Sequence, residues 1–313
     1  VSFLAPFVGA WAFAYFVLHW SGDASKIAGI ALSTTSVAVV YAVMVETGLN
    51  KEGLGKLILA ACFVTDLGTV LALGVMFAHY NGWLALFLGV SAVVLLVASS
   101  LTERFLKRFE GQVSEPEIKL LLLMLFGLGG LAALANSEAV LPAYLLGLAV
   151  AGAFSRHKET MRHIRIATFA LLTPFYFLKA GALVHFGAVT AGIGVIAMLL
   201  GVKLVAKFVG VFPLTKLFRM DRRTGGYTTL LMSTGLTFGT ISAMFGLSRN
   251  LVTASQYSAL VTVVIASAVV PTLIAQRHFR PKISAMQFQA EDEAMTLSET
   301  NNGTKNAAHA DKE

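Results

Sequence analysis

Long apolar runs recur along this chain, and a run of about 18 residues is enough to cross a hydrocarbon core of ~30 Å as a helix. Ten crossings are expected, near 1–18, 27–45, 55–78, 83–100, 118–135, 139–154, 165–185, 189–214, 226–246 and 251–274. Composition agrees: 56% of the 313 residues are hydrophobic and 13% charged, against roughly 45–50% and about 25% in soluble domains. A water-soluble globule is excluded, and the expected class is an all-α polytopic membrane protein.

The formal charge of +7 does not point to nucleic acid, because the basic residues sit in short loops between apolar runs and form no continuous patch. Numbering the spans places nearly all of them on one face, in the loops at 101–117, 155–164 and 215–225 and after 275; the opposite face has only Lys26 and Arg249. By the positive-inside rule the rich face is cytoplasmic. A missed or invented helix would scramble that segregation, so it also tests the count. Val1 then lies on the cytoplasmic side of an inner membrane. Residues 1–282 form the membrane part, and residues 283–313, polar and acidic, form a disordered cytoplasmic tail. The chain opens at Val1 inside an apolar run, which suggests a truncated start. The single Cys62 lies within a span and reads as packing, so no disulfide framework exists.

Two hydroxyl-rich stretches interrupt apolar spans at corresponding places, Leu32-Ser33-Thr34-Thr35-Ser36 and Met232-Ser233-Thr234-Gly235-Leu236-Thr237. Hydroxyls satisfy backbone groups freed where a helix unwinds, and Gly235 and Gly239 lower helix propensity. Paired discontinuous helices mark the ion site in transporters built from inverted repeats; the alternative is that the hydroxyls merely bond neighbouring helices.

Of the 17 acidic residues, Asp66 alone lies at the centre of a span. A carboxylate there costs about 2.5–3.5 kcal/mol on insertion scales and usually faces a water-filled cavity or a functional partner. Dehydration penalises its charged form, so a proton and a small cation compete for it. Thr65, Thr69, Thr34, Thr35 and Ser36 offer the oxygen ligands an alkali cation needs. Lys203 and Lys207 lie within one span and share a helix face; the long stem of Lys207 also allows it to snorkel toward the headgroups. Lys179 follows Pro174, which should kink its helix. The seven histidines lack zinc spacing, no nucleotide fingerprint is present, and no enzyme, resident metal or cofactor is indicated.

LSTTSVAVVYAVMVE at 32–46, ILAACFVTDLGTVLALG at 58–74, TPFYFLKAG at 173–181, KFVG at 207–210 and STGLTFGTIS at 233–242 resemble, in order and spacing, the second cation:proton antiporter family of bacteria. The resemblance implies exchange of Na+ or K+ for H+. It also implies an inverted-repeat fold of about thirteen helices with two crossing broken helices, the 27–45 and 226–246 spans, and a core domain that rocks against a dimerisation domain. It places the ion-binding carboxylate at Asp66 and the membrane-embedded basic residue at Lys207. About three N-terminal helices would be missing, and the full-length protein would be a homodimer. The chain has Thr65-Asp66 where many relatives carry two acidic residues or an Asn-Asp pair, and Leu236 where some carry an acid. Two readings from other classes compete: a sodium-coupled organic-anion symporter on a similar fold, and a non-transporting membrane scaffold.

Overall fold

Caps and prolines, more than any loss of apolar character, divide the chain into its helices. A computed structural model describes residues 1–77, 82–109, 114–135, 137 and 139–281; the expected tail at 283–313 lies outside them. The described residues contain no strand. Their α-helices are α1 (Leu4–Ala12), α2 (Gly22–Ser33), α3 (Val37–Thr47), α4 (Gly53–Met76), α5 (Gly82–Phe109), α6 (Pro116–Leu134) and α7 (Val140–Arg156). There follow α8 (Lys158–Ala167), α9 (Thr173–Ala182), α10 (Phe186–Ala191), α11 (Ile193–Leu217), α12 (Arg222–Met232), α13 (Thr237–Ser248) and α14 (Ala254–Ile274).

Ser21 and Ser36 accept the amides of Ala24 and Val39 at the starts of α2 and α3. Thr253 and Gln256 form a reciprocal capping box on α14, satisfying donors that a helix start leaves orphaned. Gly48, at φ 77°, closes α3 in the left-handed conformation that only glycine adopts without a Cβ penalty. Asp221 caps α12 by accepting the amides of Arg223 and Thr224. Bonding to the Thr224 side chain and then to its amide holds the Asp221 carboxyl below the ordinary carboxylate value, because these donors favour the charged form.

Seven helical runs among the described residues, counting α2 with α3 and α12 with α13, are long and apolar enough to cross a membrane, and Leu4–Val17 and Val140–Arg156 are shorter apolar helices. The chain is therefore a multi-pass membrane protein. Several expected boundaries move. The span expected at 189–214 begins instead at Ile193, after the separate short α10. The span expected at 83–100 belongs to a helix that continues to Phe109. The 165–185 span belongs to a helical run that starts at Lys158 and contains a wide π turn over Thr168–Leu172. That turn immediately precedes the helix with Pro174 in its first turn. Proline supplies no N–H and clashes with the carbonyl four residues back, and a wide turn relieves both.

The helices pack around separate apolar clusters. Ile27, Leu32, Leu73, Leu199, Tyr257 and Val264 form one, and Val40, Met44, Ile58, Cys62, Tyr227 and Leu231 form another. Both lie in the body made of α1–α4 and α11–α14. A third cluster, with Ala98, Leu106, Leu128, Leu146 and Phe154, holds α5 to α7 together, and α4 meets α7 between the two bodies. Outside, Val64, Leu96 and Phe126 are 70%, 82% and 73% exposed, a surface suited to lipid and too apolar for water.

A candidate ion site between two interrupted helices

The segment 22–47 is one membrane-length run that stops being helical at Thr34. Thr34 adopts φ −62°, ψ 153°, and the chain resumes at Val37. Ser33 and Thr34 donate their hydroxyls back to the carbonyls of Ile30 (2.8 Å) and Ala31 (3.0 Å). The second run is interrupted between Met232 and Thr237, where Ser233 donates to Thr229 O and Thr234 to Leu231 O. These hydroxyls take up carbonyls that a helix end leaves open.

The two interruptions lock together. The Ser36 amide donates to the Thr234 carbonyl at 3.1 Å, and the Thr35 hydroxyl donates to Met232 O at 2.9 Å. Glycine is needed here for space, a reason that helix propensity did not reveal. A Cβ on Gly239 would lie 2.8 Å from Ala31 O and 2.7 Å from a Val264 methyl, and one on Gly235 would lie 2.9 Å from the Thr34 hydroxyl and closer still to the Lys203 ammonium.

Asp66, in α4, is 4% exposed, and its Oδ1 has no hydrogen-bond partner. It lines a cavity of about 650 Å³ together with Thr35, Ser36, Thr237, Phe238, Tyr144 and Arg165. Val37 and Thr237, the first residues of α3 and α13, also face this space, so two helix N-termini, each a partial positive charge, border the carboxylate. Thr65 and Thr34 do not line the cavity: Thr65 donates to Ala61 O and Thr34 to Ala31 O. Thr69 likewise bonds back to Thr65 O.

Lys207 does not snorkel. It is fully buried, and its Nζ donates to the Thr35 hydroxyl at 3.0 Å and to Ser2 Oγ at 3.3 Å. Lys203 is also fully buried and donates to Ser267 Oγ at 2.9 Å. Lys179 is exposed and lines a different cavity of about 630 Å³, with Tyr176 and Ser248, at the far end of α13. Cys62 packs its sulfur 3.8 Å from that of Met232. No ion pair joins Asp66 to a lysine among the described residues, whose ion pairs lie at helix ends and surfaces, such as Glu103 with Arg156. The same residues contain no cluster of three or more His, Cys, Asp or Glu.

Sequence reasoning passed over Tyr144 and Arg165. Tyr144 stands on α7, donates to the Phe63 carbonyl at 3.1 Å and sets its ring edge-on to Phe238, 6.1 Å away. It therefore ties the α5–α7 body to both walls of the cavity. Nothing in its own stretch of sequence marks it, since tyrosine is common in apolar helices near an interface.

An unpartnered carboxylate beside two interlocked, interrupted membrane helices is the arrangement that transporters built from inverted repeats use for their ion sites. The sodium/hydrogen exchanger transmembrane family matches residues 1–279, and the chain belongs to it. It is 25% identical over 77% of its length to the putative Na+/H+ antiporter YjbQ of Bacillus subtilis, spanning 41% of that protein. It is 23% identical over 90% of its length to the probable Na+/H+ antiporter 3 of Methanocaldococcus jannaschii, and 25% identical over 85% to the Na+/H+ antiporter of Enterococcus hirae. It spans 75% and 73% of those two.

Proposed function

We propose that the chain is the membrane part of a monovalent cation:proton antiporter that exchanges Na+ or K+ for H+ at Asp66. Asp66, which lines a cavity at the junction of the two interruptions and whose buried Oδ1 has no partner, carries the reading. A buried carboxylate that no protein group bonds must take a proton or a cation, and at a single site each displaces the other. Thr35 and Ser36, which share the cavity, supply oxygen ligands; Thr34 and Thr65 do not line it. Lys207 balances the carbonyl end of the first interruption. The two interrupted segments, 22–47 and 222–248, are the matching elements of an inverted repeat, and the full-length protein works as a homodimer. The antiporter names of all three relatives support this reading. An organic anion would meet the like charge of the Asp66 carboxylate in this cavity, where, among the described residues, Arg165 is the one cationic lining residue.

The test uses the protein in proteoliposomes with an internal pH dye and stepwise additions of Na+ or K+. Cation-driven proton release is the expected result. A silent dye with both cations would overturn the reading, and sodium uptake that requires an organic acid would replace it with the symporter.

In this reading the membrane is crossed ten times, and the basic loops at 101–117, 155–164 and 215–225 face the cytoplasm with the tail. The Asp66 cavity, which reaches Arg165, then opens inward, and the Lys179 cavity lies on the outer side. Cysteines introduced at Lys158 and Lys216 test this orientation against a low background, since Cys62 is buried. They are expected to resist an impermeant reagent applied to intact cells and to react once the membrane is opened; labelling from outside would reverse the orientation.

A further inference from the structure

Resting on the antiporter reading, we infer that Lys203 is a positioning residue for the cation site, which sets the second interruption through a relay in which Ser267 holds its ammonium against Gly235. The two lysines of α11 divide the work. Each donates to a hydroxyl and borders the second interruption, Lys207 through Thr35 and Lys203 beside Gly235. Lys207 reaches Thr35, whose hydroxyl donates to Met232 O at 2.9 Å. Lys203 reaches Ser267 at 2.9 Å, and Ser267 Oγ lies 3.5 Å from Gly235 O while donating to Val264 O at 2.8 Å.

Three observations argue against Lys203 as packing alone. It is 0% exposed, and among the described residues no carboxylate lies within ion-pair distance of it. A lysine buried in this way is costly unless its ammonium answers some other negative group. The group available is the carbonyl end of α12, which carries the partial negative charge of a helix C-terminus. Gly235, finally, is the residue that admits the ammonium, because a Cβ there would collide with Lys203 Nζ and Thr34 Oγ1.

Gly235 sits between two residues that the site uses. Thr234 offers its carbonyl to the Ser36 amide, and Thr237 faces the cavity beside Asp66. A shift at Gly235 therefore moves both the lock between the interruptions and the wall of the cavity, without any contact between Lys203 and the cation.

The experiment compares Lys203→Met, Lys203→Gln, Ser267→Ala and the double variant Lys203→Met with Ser267→Ala in the full chain. Thermal unfolding in detergent tests the relay, and exchange in proteoliposomes tests its consequence. The stability losses of the two single variants are expected to be non-additive, the double variant being hardly worse than either. Lys203→Met is expected to raise the cation KM roughly five- to tenfold, the scale of a lost positioning hydrogen bond, with kcat changing less and the pH profile keeping its shape. Lys203→Gln, which keeps a donor, should recover part of the affinity. Additive stability losses would overturn the relay. Coupled stabilities with an unchanged KM would make Lys203 merely structural and overturn the positioning role. If the wild-type protein fails to exchange at all, the antiporter reading fails with it, and the relay stands or falls on the unfolding cycle.

Discussion

Asp66→Asn is expected to abolish cation-driven proton movement, leaving a dye response no larger than that of liposomes without protein. The amide is nearly isosteric and keeps an oxygen where the unpartnered Oδ1 stands. It removes any need to bury a charge, so folding and insertion should survive or improve. What the amide lacks is a proton to exchange. In the wild-type protein the apparent affinity for the cation should fall as pH drops, because protons increasingly occupy the shared carboxylate; the Asn variant should have no such slope. Asp66→Glu keeps the chemistry and displaces it by one methylene, so some exchange should remain with a displaced pH optimum. Normal cation-driven pH changes in the Asn variant, at matched protein levels, would falsify Asp66 as the shared site and move the exchange elsewhere.

The sequence reveals those features of the site that depend on one helix at a time. A charged residue in the middle of an apolar run stands out because its insertion is costly, and Asp66 is found in α4 with its carboxylate nearly buried. Hydroxyls clustered within an apolar run weaken the case for a continuous helix, and at Thr34 and Ser233 the helices do end. What connects one helix to another left little trace. The Ser36 and Thr234 contact joins residues 198 apart in sequence, and Ser267 meets Lys203 across 64. Membrane helices are apolar on nearly every side, so no polar face betrays which neighbour each surface meets. For the same reason the direction of Lys207 was ambiguous: its flexible stem can reach headgroups or a buried hydroxyl equally well, and only the position of Thr35 decides between them.

The same logic makes Gly239 the most sensitive backbone position in the site, and it yields a test in which one substitution has opposite signs at two places. In a helix exposed to its surroundings, glycine to alanine gains about 0.8–1 kcal/mol, because alanine loses less backbone entropy on folding. Gly152, in α7, has nothing within 4 Å of where a Cβ would stand, so Gly152→Ala should be neutral or raise the melting temperature. Gly239 lies in the first turn of α13 with Ala31 O, a Val264 methyl and Thr34 Oγ1 at 2.8, 2.7 and 3.0 Å from that point. The methyl can swing aside. The carbonyl belongs to the last turn of α2 and is held by the Thr34 hydroxyl, so it can move only with its helix. Overpacking of this kind costs about 1–3 kcal/mol, which outweighs the propensity gain, and Gly239→Val adds two further methyls. Both Gly239 variants should therefore melt below the wild-type protein, the valine more so. Gly239→Val should also lose exchange, because separating α13 from α2 pulls Thr234 from Ser36 and carries Thr237 away from Asp66. A valine variant with normal melting and normal exchange would mean that the two interrupted helices are not locked at this point.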